Sequence, residues 1–195
     1  MMLYEKYRKS KIDFSQIGLE RRDTNRGYFC TPAGAEIFGW TGVDGIHYCL
    51  IEGFQEVFAV TPMAAEGEYV HPAARDFSDF LRLLLVCQGE AAIEQAYGWN
   101  REQFECFLAE NPASGEQESV LNLIEEEFAL APLENPFDYI KELQADFNYG
   151  LIPYKVDYFR LMNEPKEPEP PEWKVCYDAN LGIQPAKAVL GKKSL

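Results

Sequence analysis

The chain lacks paired cysteines and long apolar runs, and each absence excludes a class of protein. Its five cysteines are widely spaced and form no CxxC pair, which indicates reduced thiols rather than a disulfide framework. No run approaches the ~18 apolar residues that a membrane-spanning helix needs. The first residues, MMLYEKYRKSK, are not followed by an apolar segment, so we expect no signal peptide and a cytoplasmic location.

Basic residues are also scarce, because the formal net charge is −14. An acidic protein repels phosphate groups, which argues against binding to nucleic acid or to an anionic membrane surface. Most of this charge lies between residues 102 and 146, where twelve Asp or Glu residues accompany one lysine, Lys141. The stretch is consistent with a surface that steers a basic protein partner, and also with solvated helix faces that keep the protein soluble.

Signatures of catalysis are missing as well. The glycines between residues 34 and 45 form no GxGxxG or Walker loop, and no GxSxG elbow occurs, so we expect neither a nucleotide site nor a bound cofactor. Glu66 and Glu68 are typical of a solvated loop, although such pairs also bind cations or act as acid and base. His71 is predicted to lie in the same exposed loop, as an incidental residue or an acid–base group.

What the sequence does contain is a region of short strands followed by a region of helices. Its 195 residues, 47% of them hydrophobic, are enough for one domain with a sizeable core. Apolar and aromatic stretches between glycines predict strands over residues 28–31, 36–40, 46–51 and 57–61. Turns as short as Thr41-Gly42-Val43-Asp44-Gly45 favour antiparallel hairpins over crossovers through a helix.

The helices are predicted from capping residues and apolar spacing. Asp76 precedes a buried helix over residues 77–87, and a second short helix covers 90–97. Capping-box pairs at Asn100 and Ser114 begin the third and fourth helices, Pro136 begins a fifth that Gly150 closes, and a short helix is predicted over residues 3–9. The fold class is therefore α+β, with a central antiparallel sheet in the N-terminal half packed by helices of the C-terminal half.

The C-terminal part has a different composition. Residues 154–161 alternate loosely, which predicts a strand. Residues 164–173, EPKEPEPPEW, form a proline-rich acidic linker that favours an extended path, and residues 173–177 are consistent with another strand or a docked tail. We therefore expect one α+β domain over residues 1–163, followed by a linker and tail over residues 164–195.

One cluster of residues is a candidate for chemistry. His47 and Cys49 share one face of a predicted strand, and Cys30 and Asp44 complete a set that is consistent with zinc binding or an activated thiol. The structural interpretation is that Cys30 and Cys49 are small core residues and that His47 is a hydrogen-bonded strand residue. The usual zinc spacing is missing, which favours the structural interpretation.

Aromatic residues in turns are candidates for binding. Trp40 at a hairpin tip, Phe54 in the next turn and Tyr69 in the following loop are predicted to project from the sheet, where such rings anchor protein interfaces. The alternative is that all three rings pack inward.

With these elements in place, the chain resembles the SUKH superfamily over about residues 27–90. The resemblance rests on the segments GVDGIHY (42–48), VFAVTP (57–62) and FSDFL (77–81), the last preceded by Asp76 like the family's "sFxeFL" segment. It implies an α+β domain that binds proteins, since the superfamily includes immunity proteins that neutralise bacterial toxins. The family's N-terminal motif with its Trp and Gly is not found in residues 1–26.

These observations leave three hypotheses of different classes. The leading one is a non-catalytic, cytoplasmic protein-binding module, an immunity protein whose acidic face, including Glu125, Glu126 and Glu127, occludes a basic toxin domain. The alternative is a small metal- or thiol-dependent enzyme built on Cys30, Asp44, His47 and Cys49. The third is a homodimeric structural protein that associates through exposed aromatic rings.

Overall fold

The computed structural model describes residues 2–24 and 26–163; the predicted linker and strand beyond residue 163 lie outside the described residues. The described elements run in this order: α1 (Met2–Lys9), a 3-10 turn (Phe14–Ile17), β1 (Ala35–Trp40), β2 (His47–Ile51), β3 (Val57–Val60), β4 (Val70–Ala74), α2 (Phe77–Cys87), α3 (Ala91–Gln95), α4 (Arg101–Glu110), α5 (Gly115–Phe128), α6 (Pro136–Asp146), a second 3-10 turn (Tyr149–Leu151) and α7 (Val156–Asn163). This order confirms the predicted α+β class.

The four strands form one antiparallel sheet in the order β1-β2-β3-β4. The β1–β2 hairpin turns at Asp44 and Gly45, which both have positive φ, as a tight reversal of this kind requires. A register shift interrupts β1 between Ile37 and Gly39. A Cβ on Gly39 would collide with the side chain of Leu19, so glycine at this bulge lets the N-terminal segment approach the sheet closely.

Both faces of the sheet are covered, which explains why its strands are apolar along their whole length. Phe38, Tyr48 and Ala59 join the larger core, which they share with the 3-10 turn and helices α1 to α6. Ile37, Cys49, Ile51, Phe58, Val60 and Val70 join a smaller core, completed by residues from two connecting regions: Cys30, Phe147, Ile152, Tyr154, Tyr158 and Met162. The second face of the sheet is thus covered largely by loops and by α7.

Helix α2 lies in the larger core because it is apolar on nearly every side. Its N-terminus is capped by Asp76, whose carboxylate accepts a hydrogen bond from the Asp79 amide at 2.8 Å. The buried residues on the helix are Phe77, Phe80, Leu81, Leu83, Leu84, Leu85 and Cys87. Strand β4 and helices α1, α3, α5 and α6 all contact it, so α2 organises the helical layer.

Helices α4, α5 and α6 begin at the predicted residues, although α6 ends at Asp146 and not at Gly150 as predicted. Asn100 with Gln103 and Ser114 with Gln117 form complete capping boxes, and Pro136 occupies the first turn of α6. Among the described helices, none combines the length and apolar character required to cross a bilayer.

Three predictions of secondary structure are wrong. Residues 28–31 form a turn, closed by a hydrogen bond from the Thr31 amide to the Tyr28 carbonyl oxygen at 3.1 Å, instead of a strand. Residues 156–163 form helix α7, because an apolar spacing over so short a segment fits a helix as well as a strand. Strand β4 lies where an exposed loop was predicted, since Pro72 is tolerated on an edge strand of the sheet.

Candidate functional site

The structure does not assemble the metal or thiol site predicted from Cys30, Asp44, His47 and Cys49. The imidazole of His47 is fully buried. Its Nε2 lies 3.0 Å from the Thr31 hydroxyl and its Nδ1 lies 2.8 Å from the Gly45 carbonyl oxygen. Because both ring nitrogens are engaged by neutral groups, His47 joins the β1–β2 hairpin to the preceding turn as a structural residue.

The two thiols of this group are unsuited to nucleophilic chemistry. Burial raises the pKa of Cys30 to about 11 and that of Cys49 to about 12, so both remain protonated at neutral pH. Asp44 is exposed at the hairpin turn. Within the described part of the chain, no three His, Cys, Asp or Glu side chains are grouped so that they could hold a metal ion.

The aromatic residues predicted to project from the sheet are mostly buried. Trp40 is 5% exposed and Tyr69 is 7% exposed, so for these two the prediction of exposure is wrong. Trp40 packs on His47 with ring centroids 4.7 Å apart, and Tyr69 packs edge-on against Phe29 at 5.2 Å. Phe54 is half-buried in the smaller core. Loops and α7 cover this face of the sheet and enclose the rings. No pattern in the sequence indicated that these segments would fold over the sheet.

The three glutamates predicted as part of a binding surface have two environments. Glu125 and Glu126 are exposed on the last turn of α5. Glu127 is half-buried and accepts a hydrogen bond from the Ser10 hydroxyl at 3.2 Å, while its carbonyl oxygen accepts one from Lys6. Glu127 therefore fastens the N-terminal segment to α5, and only its two neighbours are fully open to a partner.

A buried carboxylate that the sequence did not indicate lies between α2 and α3. Glu90 is 8% exposed, and burial together with the nearby charge of Glu94 raises its pKa to about 8. The Tyr48 hydroxyl donates to the Glu90 carbonyl oxygen at 3.0 Å, and the Thr61 hydroxyl donates to Glu94 at 2.7 Å. These bonds tie α3 to the sheet, and we interpret the pair as structural.

A more distinctive feature is a cavity of about 260 Å³ whose lining is mostly aromatic. We call it the tyrosine pocket; it is lined by Gly67, His71, Tyr97, Tyr149, Tyr154 and Tyr158. His71 and Tyr97 stack with ring centroids 3.3 Å apart, and Tyr154 stacks on Tyr158 at 3.8 Å. Tyr149 and Gly67 are exposed, so the pocket reaches the surface.

His71 lines this pocket, and the prediction of an exposed loop histidine is wrong. It belongs to β4 and is only 5% exposed. Its Nδ1 is the one buried side-chain nitrogen or oxygen in the described part that has no hydrogen-bond partner. Burial lowers the pKa of His71 to about 4; a hydrogen bond of the ring with the Glu68 backbone opposes this shift and the positive charge of Lys141 adds to it. The imidazole is therefore neutral at physiological pH.

Carboxylates lie beside the tyrosine pocket. Burial raises the pKa of Tyr97, and the charge and hydrogen bond of Glu68 raise it further. Burial also raises the pKa of Tyr158, and the nearby Tyr69, Cys30 and Glu66 raise it further, Glu66 by the least. The Nζ of Lys141 donates to the Tyr97 carbonyl oxygen at 2.8 Å, and Lys141 is not among the residues that line the pocket. The rim is therefore acidic and the aromatic wall is uncharged.

Sequence reasoning missed this pocket because its members come from three separate parts of the chain. The only local signal is the spacing of Tyr149, Tyr154 and Tyr158 within one short segment, and that segment was predicted in part as a strand. His71 and Tyr97 join it only through the packing of β4 against the residues that follow α3 and α6.

No family model, curated protein or solved structure matches this chain. The resemblance to the SUKH superfamily thus stays a prediction.

Proposed function

We propose that the protein is a non-catalytic, cytoplasmic protein-binding module of immunity type, which occludes a basic toxin domain. The acidic helical face, formed by the exposed carboxylates of α4, α5 and α6, attracts and orients the partner. Occlusion of the partner's surface then blocks its activity without any chemical step. The resemblance to the SUKH superfamily supports the same type of function.

The observation that carries this proposal is the low number of cations opposite these carboxylates. Between residues 102 and 146, only Glu105, Asp138 and Glu142 form ion pairs in the described part of the chain. Most of the remaining carboxylates are exposed, and Glu127 accepts its hydrogen bond from a neutral group, the Ser10 hydroxyl. A surface with a one-sided potential of this kind raises association rates with a partner of opposite charge.

Exposed apolar residues near the end of the described part offer the contact area that charge alone does not provide. Val156 is 84% exposed and Phe159 is 53% exposed, and Tyr149, Leu151 and Leu161 are also open to solvent. Several exposed apolar side chains within one short segment are consistent with a protein interaction site. They replace Trp40 and Tyr69 as the apolar anchors of our proposal.

The experiment that tests the proposal is co-expression of the tagged full chain with the proteins encoded beside it, followed by capture at low salt. We expect a basic partner whose association slows at least about tenfold between ~0.05 M and ~0.5 M NaCl. Replacing both Glu125 and Glu126 by lysine should also slow association at low salt, because it removes negative charge from the acidic helical face. The matched control replaces the exposed Asp23 and Glu52 by lysine, which makes the same change in net charge on another part of the surface.

Two outcomes would contradict the proposal. Equal association rates for the two lysine variants would show that net charge, and not the acidic helical face, attracts the partner. A bound partner whose association ignores salt would remove electrostatic steering altogether.

Self-association is the second candidate, because the same exposed apolar residues suit a homodimer. Light scattering of the purified chain measures its mass directly. A dimer that the double substitution Val156→Ser and Phe159→Ser converts to a monomer would favour this candidate, whereas a monomer at high concentration would exclude it.

A further inference from the structure

The tyrosine pocket has features that neither the acidic helical face nor the fold explains. Four tyrosines converge on it from residues 97, 149, 154 and 158. An aromatic core excludes water and fills its volume, yet these rings leave a cavity of about 260 Å³. This volume is below the usual range for drug-sized ligands, so an occupant must be small or must be a single side chain.

The chemistry of the walls selects for a cation. The face of a tyrosine ring is the negative end of its quadrupole and attracts ammonium groups. Glu66 and Glu68 act electrostatically on Tyr158 and Tyr97, which makes the potential at the rim more negative. Burial keeps His71 neutral, so the residues that line the pocket carry no positive charge; Lys141, whose charge reaches His71, lies outside the lining.

The unpartnered nitrogen narrows the class of cation. Buried polar atoms nearly always have a hydrogen-bond partner, and an exception calls for an explanation such as a ligand. Nδ1 of His71 is such an exception in the described part. A quaternary ammonium group has no hydrogen to donate, whereas a primary, secondary or tertiary one donates an N–H to this nitrogen.

We propose that the tyrosine pocket binds an alkylammonium group that keeps at least one N–H, with the cation against the tyrosine rings and the N–H directed to Nδ1 of His71. The group belongs either to a free amine or to a lysine side chain. The proposal does not depend on the acidic helical face, which lies on other residues.

The test is a titration of the full chain at neutral pH, followed by amide NMR shifts of Gly67 and Tyr97. The probes are butylammonium, butyltrimethylammonium and butanol, which share an alkyl chain and differ in charge and in the N–H. We expect butylammonium to bind most tightly and butanol most weakly. Equal affinity for butanol would overturn the proposal, and equal affinity for butyltrimethylammonium would overturn the hydrogen bond to His71.

Substitutions at the half-buried Tyr158 show whether the ring is the attracting group. Tyr158→Leu should weaken butylammonium binding by roughly two- to thirty-fold, because the aromatic face is lost. Tyr158→Phe keeps that face and should retain most of the affinity. Tyr28→Leu is the matched control outside the pocket, since Tyr28 is 45% exposed. Thermal melts of each variant separate loss of binding from loss of fold.

A further titration distinguishes the two sources of the ammonium group. A short peptide with one lysine, blocked at both ends, binds at least as well as butylammonium if the natural ligand is a protein side chain. A free amine is indicated if the peptide fails to shift the same amides. If the Tyr158→Leu and Tyr28→Leu variants lose the same affinity, the pocket is not the binding site.

Discussion

Glu90 shows how one buried side chain makes the stability of a fold depend on pH. Its carboxyl group is enclosed where α3 begins, and Gly18 packs so closely that a Cβ there would lie 2.8 Å from Oε1. Because burial and the nearby Glu94 disfavour the charged form, the pKa rises from 4.5 to about 8. At neutral pH the folded protein therefore prefers the protonated acid, which needs no buried counterion.

The replacement Glu90→Gln should remove this dependence. Between pH 4.5 and pH 8 the folded state holds a proton that the unfolded state has lost, so the stability contribution is complete at the acid end and disappears as pH rises through 8. Glutamine keeps the shape and cannot ionise. We expect the variant to gain stability relative to the wild type, by on the order of a few kcal/mol, between acidic and mildly alkaline pH.

Urea unfolding at several pH values measures that difference directly. His47 and His71 also titrate in this range, but they are present in both proteins, so their contribution cancels in the comparison. The exposed Glu102→Gln is the control for the loss of one carboxylate. Parallel stability curves for wild type and Glu90→Gln would contradict the raised pKa.

At the scale of the element, local signals in the sequence predicted helices α4 to α6 well, and predicted helix α7 and the edge strand β4 poorly. Asn100, Ser114 and Pro136 act within one turn of the residues they cap, so the helix starts could be predicted. Strand β4 depends on pairing with β3 and on its edge position, which overrides the presence of Pro72. The tyrosine pocket and the burial of Trp40 depend on contacts between distant segments, which no local pattern records.

Helix α5 provides a prediction at this scale because it carries glutamates at both ends, and the helix dipole acts on the two ends with opposite sign. Glu116 lies in the first turn, where the helix dipole favours a negative charge, whereas Glu126 lies in the last turn, where no basic residue occurs and the dipole disfavours it. Glu126→Gln should therefore raise the free energy of unfolding by about 0.3–1 kcal/mol, and Glu116→Gln should lower it by a similar amount.

The two variants control for each other, since both remove one exposed negative charge from the same helix. Any effect on the net charge of the molecule is shared, and only the sign of the dipole interaction differs. Urea unfolding at low ionic strength is the appropriate measurement because guanidinium salts screen such interactions. Changes of the same sign in both variants would show that the dipole is not the cause.

At the scale of the whole molecule, charge is distributed very unevenly. Residues 1–26 contain seven basic and four acidic side chains, whereas residues 102–146 contain twelve acidic side chains and one lysine. The basic N-terminal segment contacts the acidic region at one point, where Lys6 donates a hydrogen bond to the Glu127 carbonyl oxygen at the end of α5. Most of the acidic charge has no such partner in the described part, and repulsion among like charges concentrated on α4, α5 and α6 destabilises the compact state.

Salt should therefore act on the fold and on a complex with opposite signs. Raising NaCl from ~0.01 M to ~0.3 M screens repulsion among exposed carboxylates, so the midpoint of urea unfolding should rise. The same salt weakens attraction to a basic partner, so association should slow. Measuring the unfolding midpoint and the association rate on one preparation shows whether slower association at high salt comes from weaker attraction or from unfolding of the protein. A midpoint that falls with salt would mean that attractive pairs, such as Arg82 with Asp79 at 2.9 Å, outweigh the repulsion, and that the acidic helical face adds no strain to the fold.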